Sequence, residues 1–113
     1  MLGVKEKNIL NRIIDHSNRV EETINGKTKI DFDNSQDMRD IVCFNILQIG
    51  ELAKNLSSSF VSKYSGVPWK SIKGMRDWVA HGYGTIDFDT IWKTAVEDIK
   101  LLRDYCESIL KEI

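Results

Sequence analysis

Residues 88–113 read FDTIWKTAVEDIKLLRDYCESILKEI, and this stretch decides the fold. Trp92, Val96, Ile99, Leu102, Cys106, Ile109 and Ile113 follow one another at steps of 4, 3, 3, 4, 3 and 4 residues. That is the period of a helix with one apolar face, not the alternation of a strand. Asp87 or Asp89 can cap its start. The same period recurs toward the N-terminus. Ile9, Ile13, His16, Val20 and Ile24 mark a helix over about residues 4–24, stopped by Asn25-Gly26. Residues 27–36 are polar, read as a loop pinned by Phe32, with Asp33, Asn34 and Ser35 as candidate caps for the next helix. Val42, Ile46, Ile49, Ala53 and Leu56 stripe that helix, from about Gln36 to Leu56, and Ile41, Phe44 and Leu52 widen the stripe. A stripe that broad fits burial against more than one neighbour, either within a bundle or across a dimer contact. Phe60, Val61 and Tyr64 suit a short helix, and Pro68 suits the first position of another that carries Trp69, Ile72 and Met75. The expected fold is all-α, a four-to-five-helix up-down bundle forming one domain over residues 1–113.

Composition narrows the function. With 42% hydrophobic and 29% charged residues in 113, the chain has the balance of a globular domain. Its formal net charge of -1 excludes a general polycation, so any nucleic-acid affinity must come from local clustering. Cys43 and Cys106 lie far apart in apolar surroundings and read as reduced, buried thiols. The two histidines, His16 and His81, are isolated from them, so no metal site and no cofactor are expected. No long apolar run follows Met1 and none approaches membrane-spanning length, so no signal peptide, no membrane association and a cytoplasmic location are expected.

The chemistry concentrates in Arg76-Asp77-Trp78-Val79-Ala80-His81-Gly82-Tyr83-Gly84, at a predicted helix end broken by glycines. A guanidinium can hold a phosphate through paired hydrogen bonds and stabilise its growing charge. An imidazole can take a proton from a 2'-hydroxyl or return one to the leaving oxygen near neutral pH. Arg76 and His81 therefore suit metal-independent cleavage of RNA phosphodiesters. Five residues apart on one straight helix, they would point about 140° apart. They converge if the helix ends between them or if a second copy of the chain supplies the partner. The structural alternative is an ion pair of Arg76 with Asp77 or Glu51, leaving His81 as a helix-end residue. Gln48, Glu51 and Asn55 form a polar strip that is either solvated or faces this motif, with Glu51 orienting Arg76 or His81. From Leu52 through Arg76 there is no acidic residue, while Lys54, Lys63, Lys70, Lys73 and Arg76 occur. This is either a phosphate-attracting approach, with Lys54, Lys70 and Lys73 as candidate RNA contacts, or a solvated basic face. His16, on the apolar stripe, reads as a packed histidine, and Trp69, Trp78 and Trp92 as core or interface aromatics.

Arg76 through Tyr83 matches the Arg-x4-His-x-Tyr pattern of the HepT toxins of the HEPN superfamily. The flanks resemble the family too, in Ile49-Gly50-Glu51-Leu52-Ala53-Lys54, in Val67-Pro68-Trp69-Lys70-Ser71-Ile72 with Gly74-Met75-Arg76, and in Ile91-Trp92. The resemblance covers essentially the whole chain. It departs at Leu52, where the family block often has Ala. It implies a HEPN-like bundle that forms a homodimer with motifs from two chains in one cleft. It implies Arg76 and His81 as catalytic residues of an RNase acting on RNA, with Asp77 orienting Arg76. It also implies a partner, an MNT-type nucleotidyltransferase antitoxin that can transfer AMP to the motif tyrosine, here Tyr83. Two readings from other classes remain: a non-catalytic HEPN module that binds a nucleotide or the nucleotidyltransferase, and a purely structural helical subunit.

Overall fold

A computed structural model describes residues 3–80 and 86–112, with side chains described for 3–77 and 86–112. Every regular element among them is helical. In chain order these are α1 (Val4–Ile24), α2 (Lys29–Asp33), α3 (Gln36–Lys54), α4 (Ser58–Lys63), α5 (Trp69–Ala80), α6 (Phe88–Lys93), a π-helical segment (Thr94–Asp98) and α7 (Ile99–Lys111). The last three run on without a break, so the fold is four long helical units and two short ones. The extents are 45 × 29 × 19 Å. Its thinnest dimension is about two helix diameters, so the molecule is two helical layers deep.

Local chemistry explains the boundaries. Asn25 ends α1, and Gly26 comes next with φ 72°, the left-handed conformation glycine adopts without penalty. Of the three candidate caps before α3, Ser35 takes the role, its hydroxyl accepting from the Met38 amide at 3.1 Å. Asp87 rather than Asp89 caps α6, accepting from the amides of Asp89 and Thr90. Pro68 sits one position earlier than expected. Its carbonyl takes the first helical hydrogen bond, from Ile72, so it flanks α5 from the cap position.

Two further expectations need correcting. Part of the segment 27–36, read as a loop, is the helix α2, started by a reciprocal capping box between Thr28 and Asp31. Five residues carry no visible period, which is why polarity alone suggested a loop. Phe32 does pin the segment: it is fully buried, with the Trp92 ring 5.2 Å and the Phe88 ring 6.3 Å away. The second correction concerns Val96, expected on the core face but 42% exposed. The π-helical segment widens a turn by about one residue. Thr94 and Ala95 therefore face inward in its place, and the stripe resumes in register at Ile99, Leu102, Cys106 and Ile109.

Packing makes α3 the hub. It lies between α1 and α5, and α1 in turn packs against α7. Val42, Ile46, Ile49, Ala53 and Leu56 are all buried as expected, and so is Leu52. Ile41 and Phe44, the rest of the broad stripe, are 46% and 55% exposed. Between α5 and α7 runs an open groove of about 660 Å³, walled by Val67, Pro68, Ile72 and Met75 on one side and Leu101 and Tyr105 on the other. The Gly66 amide spans to α7 by donating to the Tyr105 hydroxyl at 2.9 Å. No helix among the described residues is long and apolar enough to cross a membrane.

Candidate active site

Arg76 lies on α5 where that helix crosses α3. The contact is close because α3 has Gly50 there: a Cβ on Gly50 would sit 2.7 Å from the Arg76 backbone nitrogen and 3.0 Å from its Cβ. The Arg76 Nε meets Oε1 of Glu51, the neighbour of Gly50 on α3, and that oxygen is itself buried. Nη1 of Arg76 donates to Asp77 Oδ1 at 3.1 Å. Both carboxylates that the sequence offered as partners therefore engage the arginine. The Asp77 hydrogen bond first, and then the charge of Glu51, hold the guanidinium above its already high ordinary pKa. It stays cationic at any physiological pH.

Magnitude separates two roles for this cluster. The Arg76 and Glu51 side chains are 31% and 41% exposed. Pairs this exposed gain little in folding, because water screens the charges and holding two long side chains in one geometry costs entropy. The cluster thus does little for stability but fixes the direction of a cation. Asn55 extends the polar strip, its Nδ2 donating to the Glu51 carbonyl at 3.2 Å. Lys54 stands exposed in the last turn of α3, Lys70 is exposed on α5, and Lys73 is half-buried one turn before Arg76. Lys63, at the end of α4, lies over the Tyr64 ring at 5.3 Å.

His81 and Tyr83 lie outside the described residues, as does the side chain of Trp78. Of the two other tryptophans, Trp69 is buried, with its indole Nε1 donating to the Tyr64 carbonyl at 2.6 Å and its ring 6.0 Å from Phe60. Trp92 packs on Phe32. Both serve the core. Among the described residues no group of His, Cys, Asp and Glu side chains is arranged to hold a metal.

Two features escaped the sequence reading. The first is the partner of His16, whose Nδ1 lies 2.8 Å from Asn45 Oδ1. Asn45 Nδ2 donates to the Ile41 carbonyl at 2.8 Å, so Oδ1 is the acceptor and the shared proton belongs to Nδ1. A lone asparagine within the apolar run Ile41–Leu47 was the available signal. The second is the role of Gly50, where a glycine inside a helix already suggests a close approach of backbone.

A family model described as "Ribonuclease HepT-like" matches residues 13–109. The "Gamma-glutamylcyclotransferase and putative RNase" of Methanocaldococcus jannaschii is 35% identical over 104 residues, covering 92% of this chain and 47% of the relative. A "Putative RNase" of Caldanaerobacter subterraneus subsp. tengcongensis is 42% identical over 64 residues, covering 57% of each chain. The "Probable ribonuclease HepT" of Thermococcus cleftensis is 36% identical over 63 residues, 56% of this chain and 57% of the relative. The matches thus span about half the length of these relatives. No solved structure matches the chain.

Proposed function

The chain belongs to the ribonuclease HepT-like family, and from that premise we propose that it is a metal-independent endoribonuclease, the toxin of a HEPN/MNT pair, acting in the cytoplasm. The observation that carries this reading is the aimed cation: Arg76, steered by Glu51 and Asp77, stands five residues before His81 and at the end of a segment free of acidic residues. In this reading an RNA phosphate docks against the guanidinium, and Lys54, Lys70 and Lys73 draw the backbone toward it. His81 takes the proton of the 2'-hydroxyl as that oxygen attacks phosphorus. His81 returns that proton to the 5'-oxygen as it leaves, and a 2',3'-cyclic phosphate remains. Arg76 offsets the charge that builds on the phosphoryl oxygens.

A homodimer completes the site, with Ile41 and Phe44 as part of the contact. Their exposure, beside the buried stripe of Val42, Ile46, Ile49 and Ala53 on the same helix, supports this. Inhibition by the antitoxin proceeds by transfer of AMP from ATP to the Tyr83 hydroxyl, with release of pyrophosphate. The added phosphodiester brings negative charge to the place where the RNA phosphate must sit.

The test is cleavage of a labelled RNA with a chelator present. The parent chain cuts, and Arg76→Ala and His81→Ala lose at least about 10²-fold in rate. If both variants cut as fast as the parent, the assignment is wrong. A parent chain that binds the nucleotidyltransferase but leaves RNA intact would point to the non-catalytic module instead.

A further inference from the structure

Building on the reading of Arg76 as the phosphate-holding group, we propose that Gly50 is a positioning residue for it: the missing side chain lets α5 seat against α3 at the depth from which the guanidinium reaches its carboxylate and its substrate.

Glycine inside a helix is unfavourable relative to alanine, so its presence within α3, more than one turn before the helix ends, needs a reason. Backbone conformation does not supply one, because Gly26 is the only glycine among the described residues with positive φ. Space does. The three atoms nearest to a Cβ on Gly50 all belong to Arg76, its N at 2.7 Å, Cβ at 3.0 Å and Cα at 3.2 Å. None is the far end of a flexible side chain, so the clash cannot be relieved by a rotamer change. Ordinary contact begins at 3.4 Å, so α5 would have to retreat by about 0.7 Å at the residue that carries the cation. The next residue of α3, Glu51, holds the other end of the same side chain. Two consecutive residues thus fix Arg76 at its backbone and at its Nε. Gly74, two residues earlier on α5, has nothing within 4 Å of a Cβ and serves as the control.

The experiment combines NMR with kinetics on the full chain. In the parent, a Gly50 Hα to Arg76 amide NOE is expected, and its absence overturns the proposal even if Gly50→Ala fails to fold. In Gly50→Ala the Arg76 Nε–H resonance moves or broadens as it does in Glu51→Gln, whereas Gly74→Ala leaves it in place. An unmoved resonance in folded Gly50→Ala overturns the proposal. In RNA cleavage, Gly50→Ala lowers kcat by about 10²-fold, the scale of a misplacement near 1 Å, with KM within about threefold. Combined with Arg76→Ala, the change at Gly50 costs nothing further, because it acts through the arginine. If it adds its full loss on that background, its role is general packing and the proposal fails. A parent chain that gives the NMR response without cutting RNA refutes the ribonuclease reading and leaves the positioning of Arg76 supported.

Discussion

The buried pair of His16 and Asn45 yields the sharpest test of how this fold is held. His16 is 8% and Asn45 3% exposed, and their hydrogen bond joins α1 to α3 at 2.8 Å. Replacing Asn45 by alanine removes the acceptor and strands the His16 Nδ1–H away from water. A buried donor left unsatisfied costs about 1–3 kcal/mol, more than the net worth of the bond itself. The hydrogen bond from Asn45 Nδ2 to Ile41 is lost as well, but that carbonyl already belongs to the helix ladder. We expect Asn45→Ala to lower the unfolding free energy by about 2 kcal/mol, on the order of 8 °C in Tm for a domain of this size. Replacing both partners, His16→Leu with Asn45→Leu, removes donor and acceptor together. It should cost less than the two single changes added, with a coupling of about 1 kcal/mol or more. Urea titration of the parent, both single variants and the double variant at one fixed concentration measures this, since any self-association would make stability depend on concentration. A loss below about 0.5 kcal/mol for Asn45→Ala, or strict additivity, would refute the reasoning. So would a His16→Leu protein that keeps its stability and loses RNA cleavage, because that imidazole would then be working on substrate.

Packing and charge lead to three further expected outcomes. Phe32→Ala should cost about 3–5 kcal/mol in urea unfolding, because the ring is fully buried between α2 and the α6 aromatics. Stability should fall as pH rises above 9: burial pushes the Cys43 thiol up to about 11 and Cys106 up to about 12, while the unfolded chain releases both protons near 9. The unfolded state binds fewer protons in that window, so alkali favours it, and replacing both cysteines by alanine should flatten this part of the profile in chemical denaturation. In the proposed dimer, Phe44→Lys should abolish self-association in sedimentation equilibrium while costing the monomer no more than about 1 kcal/mol, the scale of its edge contact with the His16 ring at 6.5 Å.

Much of the fold was legible because it rests on period. The stripes of α1, α3 and α7 predicted burial nearly residue by residue, and the caps Ser35 and Asp87 were among those the sequence offered. Where the reading slipped, the cause was a local departure from that period. At Val96 the π-helical turn shifts the register by one residue, and nothing in VEDI announces it. Around Lys29–Asp33 the helix is too short to show a stripe, though Thr28 and Asp31 form a recognisable capping box. The pairing of Arg76 was legible, since Glu51 and Asp77 were named as its partners and both pair with it, as the structural alternative and the catalytic reading alike require. The depth at which α5 seats was not, because it depends on an absent side chain on another helix. His81 and Tyr83 stay as sequence assignments.

The groove beside α5 has a mechanical consequence. Apart from the contacts of Trp69 with Phe60 and the Tyr64 carbonyl, α5 leans mainly on α3 among the described residues, whereas α1 is gripped from both sides. Detaching α5 therefore needs only part of the free energy of global unfolding. The arginine rides on a limb held chiefly by one neighbour. A protein that grasped this limb could disarm the enzyme by levering it off its neighbour, with the α1–α3–α7 body intact throughout and amide exchange along 70–77 as the visible trace.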